Sequence, residues 1–318
     1  MGSETEKTQS VSHLKKGICI ALVLALAFAP VLCELAFAVG LLPASPAAAL
    51  CDVFGADAAD TDAQFVEFYA TGQGDCTIIK SGEHAAVVDF GLPDESDALY
   101  WHLRELGITR LELAVVTHLH EDHIGGLPGL MERIPVERLL IGTDGSEDAD
   151  TAWYEAVMTL ARDQDVSVYR PKTGGSFAIG TVRLKILYDG QSEAEENNRS
   201  VILSAETGGK RVLLMGDAEG EVEELLLASG TDLSCDVLKL GHHGSYTSSG
   251  TAFLSRSSPR LAVISCGYDN LYRHPSDATV ERLNTLHIPY YRTDLDGNIR
   301  CIFGRHDITV FTERMESK

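Results

Sequence analysis

Among its seven cysteines the sequence has no CxxC pair, so neither a cysteine zinc knuckle nor a disulfide framework can be read from the spacing. Cys19 and Cys33 fall in an apolar N-terminal stretch. Cys51, Cys76, Cys235, Cys266 and Cys301 are scattered and read as small buried residues. The sequence also lacks a basic stripe with interleaved aromatics, the footprint of a protein that tracks a nucleic-acid strand. Acidic residues outnumber basic ones, 47 to 26, and the formal net charge is -21. Such a surface favours solubility and argues against non-specific attachment to nucleic acid or anionic lipid. It still permits a nucleic-acid substrate held through metal ions, which supply positive charge locally. No internal repeat is evident. What is present over the 318 residues, 44% of them apolar and 23% charged, suits a globular domain with a sizeable core.

Charge is also nearly absent from residues 17–50, where Glu34 is the only ionised side chain, and Lys7, Lys15 and Lys16 precede this stretch. An apolar run of ~20 residues is enough to span a bilayer, and lysines before it predict a cytoplasmic N-terminus with the rest outside. Small residues at 44–49 and 56–59 offer signal-peptidase sites. Residues 1–50 are therefore expected to be a cleaved signal peptide or a retained membrane anchor. Residues 51–63, rich in Ala and Asp, read as a linker, and 64–318 as the folded domain. The protein is expected to be extracytoplasmic, membrane-anchored or secreted.

The folded part alternates short apolar runs with helical patterns. Strands are expected at 65–70, 77–80, 85–89, 113–117, 139–141, 166–169, 182–187, 200–206, 210–215, 237–240, 261–265, 289–292, 298–303 and 308–312. Ser81-Gly82-Glu83 and Thr207-Gly208-Gly209 mark hairpin turns. Helices are expected at 96–107, 125–134, 152–162, 219–228 and 278–286. The mixture predicts a layered α/β domain with helices covering sheets.

The decisive segment is Thr117-His118-Leu119-His120-Glu121-Asp122-His123-Ile124-Gly125-Gly126. It follows a buried strand and precedes a helix. His118 and His120, two apart, point the same way in extended backbone, and Asp122 and His123 start the turn. Four potential ligands in six residues make a metal site, and imidazole with carboxylate suits zinc, manganese or iron. Two later strands also end in ligands: 212–216 runs into Asp217, placed to bridge two metals, and 237–241 runs into His242 and His243.

The H-x-H-x-D-H string resembles the signature of the metallo-β-lactamase superfamily. More narrowly, Gly72-Gln73-Gly74-Asp75-Cys76, Val88-Asp89-Phe90-Gly91, the histidine string, Asn198-Arg199-Ser200, Gly216-Asp217, His242-His243-Gly244-Ser245 and Asn270-Leu271-Tyr272-Arg273-His274-Pro275 follow in order. That set resembles the ComEC-like branch, which includes the C-terminal extracytoplasmic domain of ComEC-family DNA-uptake proteins, over about residues 64 to 312. The multi-span channel of full ComEC proteins is missing, so a free-standing hydrolase domain behind one apolar segment is expected.

The resemblance implies a four-layer αββα sandwich with the site at one edge of its two sheets. It implies two divalent ions, zinc or manganese. His118 and His120 would bind one, Asp122, His123 and one of His242 and His243 the other, and Asp217 would bridge them. Which of His242 and His243 is the ligand stays open, the other facing substrate. No histidine lies between Ile124 and Gly216, where most superfamily members place one. Asn198 and Ser200 take that place, which implies a weaker first site, tolerance of manganese, and no β-lactamase activity.

Two such ions lower the pKa of water and clamp an attacked phosphorus. Asp122 is expected to orient the nucleophile and His274 to serve the leaving oxygen as acid, with the non-ligand member of His242 and His243 second. Asn198 and Ser200 are expected to donate to a phosphate oxygen, and Asp89 to brace the histidine loop from behind. The expected function is a phosphodiesterase, a nuclease acting on DNA, with a DNA-uptake channel as possible partner. The alternatives are an esterase for small substrates such as choline-phosphate groups of cell-wall polymers, and a surface binding protein without activity.

Overall fold

The computed structural model describes residues 64–142, 151–190, 195–304 and 307–313. The expected signal or anchor segment (1–50) and linker (51–63) lie outside these residues. Among the described residues no helix is long and apolar enough to cross a membrane. Apart from residues 104–107, the described chain groups as one compact unit, which contains both sheets and the site.

The strands in chain order are β1 (Gln64–Phe68), β2 (Thr77–Ser81), β3 (His84–Val88), β4 (Leu113–Val116), β5 (Arg138–Ile141), β6 (Ser167–Tyr169), β7 (Ser176–Ile179), β8 (Val182–Tyr188), β9 (Ile202–Thr207), β10 (Lys210–Leu214), β11 (Val237–Lys239), β12 (Leu261–Ile264), β13 (Tyr290–Arg292), β14 (Ile299–Phe303) and β15 (Ile308–Thr312). Eight form one sheet, in the order β15-β14-β1-β2-β3-β4-β5-β6. The other seven form a second, in the order β13-β12-β11-β10-β9-β8-β7.

The sheets face each other because their inward residues share one core. Val66, Ile79, Ala86 and Val115 of the first sheet pack with Leu184, Leu203, Val212 and Val263 of the second. The outward row of the second sheet, including Leu213, Leu238 and Ala262, packs on Val222 and Leu226 of helix Gly220–Ser229, Phe253 and Leu254 of helix Thr251–Ser257, and Leu283 of helix Asp277–Thr285. β4 and β12 are buried at every residue, as expected of parallel strands covered on both faces. Each fully buried Val, Leu, Ile or Phe contributes roughly 1.5–3 kcal/mol.

Each sheet has a parallel half: β3-β4-β5-β6 in the first and β10-β11-β12-β13 in the second. The loops after β3, β4, β10 and β11 gather the candidate ligands, and the loop after β12 supplies His274.

Three local features differ from the sequence reading. The helix expected at 125–134 is two short pieces, Glu121–Ile124 and Leu127–Met131. Between them Gly126 passes so close to the first sheet's loop that a Cβ would sit 2.1 Å from the Phe90 carbonyl oxygen. Strand β7 and helix Thr251–Ser257 have no counterpart in the sequence pattern. Both are short, and the helix is flanked by Ser and Gly, so neither has enough residues to establish a period.

Candidate metal centre

The site starts with the loop after β4. His118, Asp122 and His123 come from it, and its fold is fixed from behind by Asp89, at the end of β3. The Thr117 N–H donates to Asp89 Oδ1 at 2.8 Å, the Thr117 hydroxyl to Oδ2 at 2.7 Å, and His123 Nδ1 to Oδ2 at 2.9 Å. Burial raises the Asp89 pKa, opposed chiefly by His123. With Nδ1 engaged, His123 presents Nε2 to the cleft. The same device orients His243, whose Nδ1 donates to the Ser265 carbonyl at 3.0 Å.

Asp217 stands between these two imidazoles. Its Oδ2 is 3.3 Å from His123 Nε2 and 3.3 Å from His243 Nε2, while Asp122 Oδ2 is 3.2 Å from His243 Nε2. His118 packs against His123, ring centroids 4.1 Å apart, and its Nε2 is 3.1 Å from His120 Nδ1. Donor atoms of His118, His123 and Asp217 lie within 4.8 Å of one another, as do those of Asp122, His123 and His243. His120 sits at the margin, partly exposed.

Burial works to raise the carboxyl pKa of Asp217, but His243 and His123 overcome it and hold it well below the ordinary range. Burial likewise works to lower His123 and His243, and the carboxylates around them, Asp217 foremost, hold both well above the ordinary imidazole value. Burial, aided by His123, keeps His118 well below it, as a neutral imidazole.

The donor set fits divalent ions. His123 Nε2, His243 Nε2 and Asp217 Oδ1 are buried and have no hydrogen-bond partner. A buried polar atom left unsatisfied costs about 1–3 kcal/mol, and here several converge on one point. Imidazole and carboxylate are the ligands that such ions take, an ion displacing the proton that Nε2 of His123 or His243 would otherwise hold.

Above the centre opens a cavity of about 440 Å³ lined by Gln73, Leu92, His120, Glu121, Asp122, Asn197, Asp217, His242, His243, Tyr272 and His274. Among the described residues no Lys or Arg lines it. Tyr272 is 69% exposed and forms part of its rim, with Tyr246 and Tyr268 exposed nearby in sequence.

His242 and His243 take different roles because both sit at positive φ, 44° and 52°, in a turn that sends consecutive side chains to different neighbours. His243 joins the ligand groups. His242 instead donates from Nδ1 to Glu219 Oε1 at 2.8 Å, and the Thr247 hydroxyl donates to the same oxygen at 2.8 Å. The hydrogen bond from His242 lowers the Glu219 pKa.

Two expectations are corrected. Asn198 and Ser200 do not face the cavity. The Asn198 side chain accepts from the Glu219 N–H at 2.9 Å, and Ser200 Oγ accepts from the Asp217 N–H at 2.9 Å and lies 3.3 Å from His118 Nδ1. They brace the walls, and Asn197 is the residue that turns inward. His274 lines the cavity as expected, but burial and the neighbouring His242 and His243 push its pKa down to about 4. It is neutral at neutral pH and ill suited to be the acid.

Sequence reasoning missed Asn197, Glu219, Asp75 as a buried charge, and Lys239. Glu219 carried a signal, two residues beyond Asp217 and opening a helix. Lys239 carried a stronger one, a cation inside Val-Leu-Lys-Leu.

The sequence pattern of the Metallo-beta-lactamase superfamily matches residues 69–268. ComE operon protein 3 of Bacillus subtilis is 35% identical over 196 residues, 61% of this chain and 25% of its own length. Competence protein ComA of Neisseria gonorrhoeae is 29% identical over 248 residues, 76% of this chain and 32% of its own length. The chain thus spans about a quarter to a third of these relatives. The metallo-beta-lactamase fold protein YhfI from Bacillus subtilis superposes with a TM-score of 0.50 at 12% identity, over 72% of this chain and 96% of its own. CmlA, a diiron beta-hydroxylase from Streptomyces venezuelae, gives 0.51 at 13%, over 76% and 54%. At such identity these two structures speak to the fold alone.

Proposed function

The chain belongs to the metallo-beta-lactamase superfamily, and on that premise we propose that it is an extracytoplasmic, two-metal phosphodiesterase, a nuclease of the ComEC-like type acting on DNA. The observation that carries the metal chemistry is the convergence of His123 Nε2, His243 Nε2 and Asp217 Oδ1, buried without hydrogen-bond partners, at the foot of an open cavity. Asp122, His123 and His243 would hold one zinc or manganese ion and His118 and His120 the other, with Asp217 between the two groups. Such ions lower the pKa of water from ~15.7 toward ~7 and polarise a phosphoryl oxygen.

The chain's own residues supply the rest. Asp122, on the cavity side of the ligand set, orients the attacking water. His242 stands to serve the leaving oxygen, its ring fixed through Nδ1 by Glu219, with Asn197 Nδ2 3.5 Å from its Nε2. Asn197 Nδ2, on the cavity wall beside His242, donates to the substrate. The competence proteins among its relatives support DNA as substrate and a DNA-uptake channel as partner. The apolar stretch at 17–50 supports a site outside the cytoplasm.

A second reading has a specific observation behind it. Among its described lining residues the cavity has Glu121 and Asp122 but no Lys or Arg, and Tyr272, 69% exposed, stands at its rim. Exposed aromatic faces bind quaternary ammonium groups, which favours a choline-phosphate diester. One assay decides. The purified chain, stripped and reloaded with manganese or zinc, is given single-stranded DNA, bis-p-nitrophenyl phosphate and p-nitrophenyl phosphorylcholine beside an Asp122→Ala/His123→Ala control. Metal-dependent cleavage of DNA supports the nuclease. Preference for the choline ester moves the assignment to the second reading, and a protein that neither binds metal nor cleaves any of the three ends both.

A further inference from the structure

Lys239 is a cation where the strand pattern calls for a hydrocarbon. Its register partners in β10 and β12 are Leu214 and Val263, which both point into the core between the sheets. Lys239 shares that row and is 2% exposed. Burying an ammonium ion there is strongly unfavourable unless it is well paired.

Its partners are two ligand-bearing segments. Nζ donates to the Asp75 carboxylate and, at 3.1 Å, to the Gly216 carbonyl. Gly216 precedes Asp217. Asp75 belongs to the first sheet's side, where its N–H donates to the Asp122 carbonyl at 3.1 Å. Asp75 borders the centre from behind His243: Oδ1 is 3.5 Å from Nδ1, on the far side of the ring from Asp122, and Asp75, Asp217 and His243 offer donor atoms within 4.8 Å of one another. Asp75 therefore lies within reach of the donor group, and an ammonium ion holds its Oδ2, leaving Oδ1 buried without a hydrogen-bond partner.

We propose that Lys239 is a positioning residue that engages Asp75, keeps this carboxylate out of the metal-donor set, and ties the Asp217 strand end to the Asp122 loop. The inference rests on the metal-binding reading above. Loss of the ammonium leaves a buried carboxylate whose available partner is the metal, so the donor set gains an oxygen. A binding site tuned by a captured carboxylate differs from one that merely contains fewer acids, because the extra ligand can be released by one substitution.

The test uses the full chain, metal-stripped and titrated with cobalt(II), whose visible absorption weakens as coordination number rises. Lys239→Met is expected to fold, by far-ultraviolet circular dichroism, and to bind cobalt with weakened visible bands and an affinity changed by about tenfold or more. Asp75→Asn/Lys239→Met, with neither charge, is expected to restore the wild-type spectrum, with an affinity within about tenfold. A wild-type spectrum in folded Lys239→Met overturns the proposal. So does a double variant with altered bands, which would make Asp75 itself a ligand, and this arm decides even if the single variant fails to fold. Wild-type protein that binds no cobalt would instead sink the metal reading.

Discussion

His123 Nδ1 donates to Asp89 Oδ2 across 2.9 Å, with both side chains buried. The carboxylate holds the ring in one tautomer and one orientation, with Nε2 directed at Asp217, 3.3 Å away. Asp89→Asn keeps the size but weakens this bond and the two from Thr117. Metal affinity should fall by about 10- to 100-fold, read by calorimetric titration, while the fold persists. An unchanged affinity would remove Asp89 from the centre's support.

His242 and His243 should separate cleanly on substitution. His243→Ala removes a donor from the ligand group and should purify with less than the wild-type complement of metal. His242→Ala should keep its metal and lose about 10²–10⁴-fold in turnover, the ordinary worth of a placed proton donor. Metal analysis beside the assay checks both, and the opposite pattern would make His242 the ligand.

Metal affinity should fall on acidification. The surrounding carboxylates hold the pKa of His123 and His243 above the ordinary imidazole value. Protons therefore compete for both Nε2 atoms at a higher pH than in an isolated histidine, and affinity drops as pH falls through those raised values. A titration of manganese binding against pH reads this directly. Chelation should also lower the melting temperature, since an ion at 100 times its Kd stabilises by about 2.7 kcal/mol.

Away from the centre, Glu67 is 1% exposed and ion-paired with Arg300, its register partner, and with His102. Burial works to raise its pKa, but His102 and Arg300 prevail and lower it. A depressed folded value contributes stability above the unfolded pKa of ~4.3 that is lost as pH falls toward the folded value. Glu67→Gln should cost about 3 kcal/mol near neutrality, and the gap to wild type should narrow steadily as pH falls below about 4 toward the lowered folded pKa. Denaturant unfolding at several pH values measures it, and a gap independent of pH would contradict the ionised pair.

The fold was legible wherever burial writes a run into the chain. β4 and β12 read as strands from four consecutive apolar residues, and the H-x-H-x-D-H loop reads as a ligand set because its members are neighbours in sequence. What was hidden depends on packing between distant segments. Asn197 and Asn198 differ in role only because a tight turn at Glu196–Arg199 aims one inward and the other at the Glu219 backbone. The depressed pKa of His274 comes from burial and two histidines some thirty residues earlier. Lys239 was visible as an oddity, but its partner Asp75 is 164 residues away, and no local pattern joins them.

The ligands are divided between the two sheets, the histidine string following β4 and Asp217 and His243 following β10 and β11. A chain made only as far as residue 190 carries the three histidines of that string and none of the later donors. The full donor set exists only where the second sheet has packed on the first, so the same core that holds the sheets together also assembles the centre.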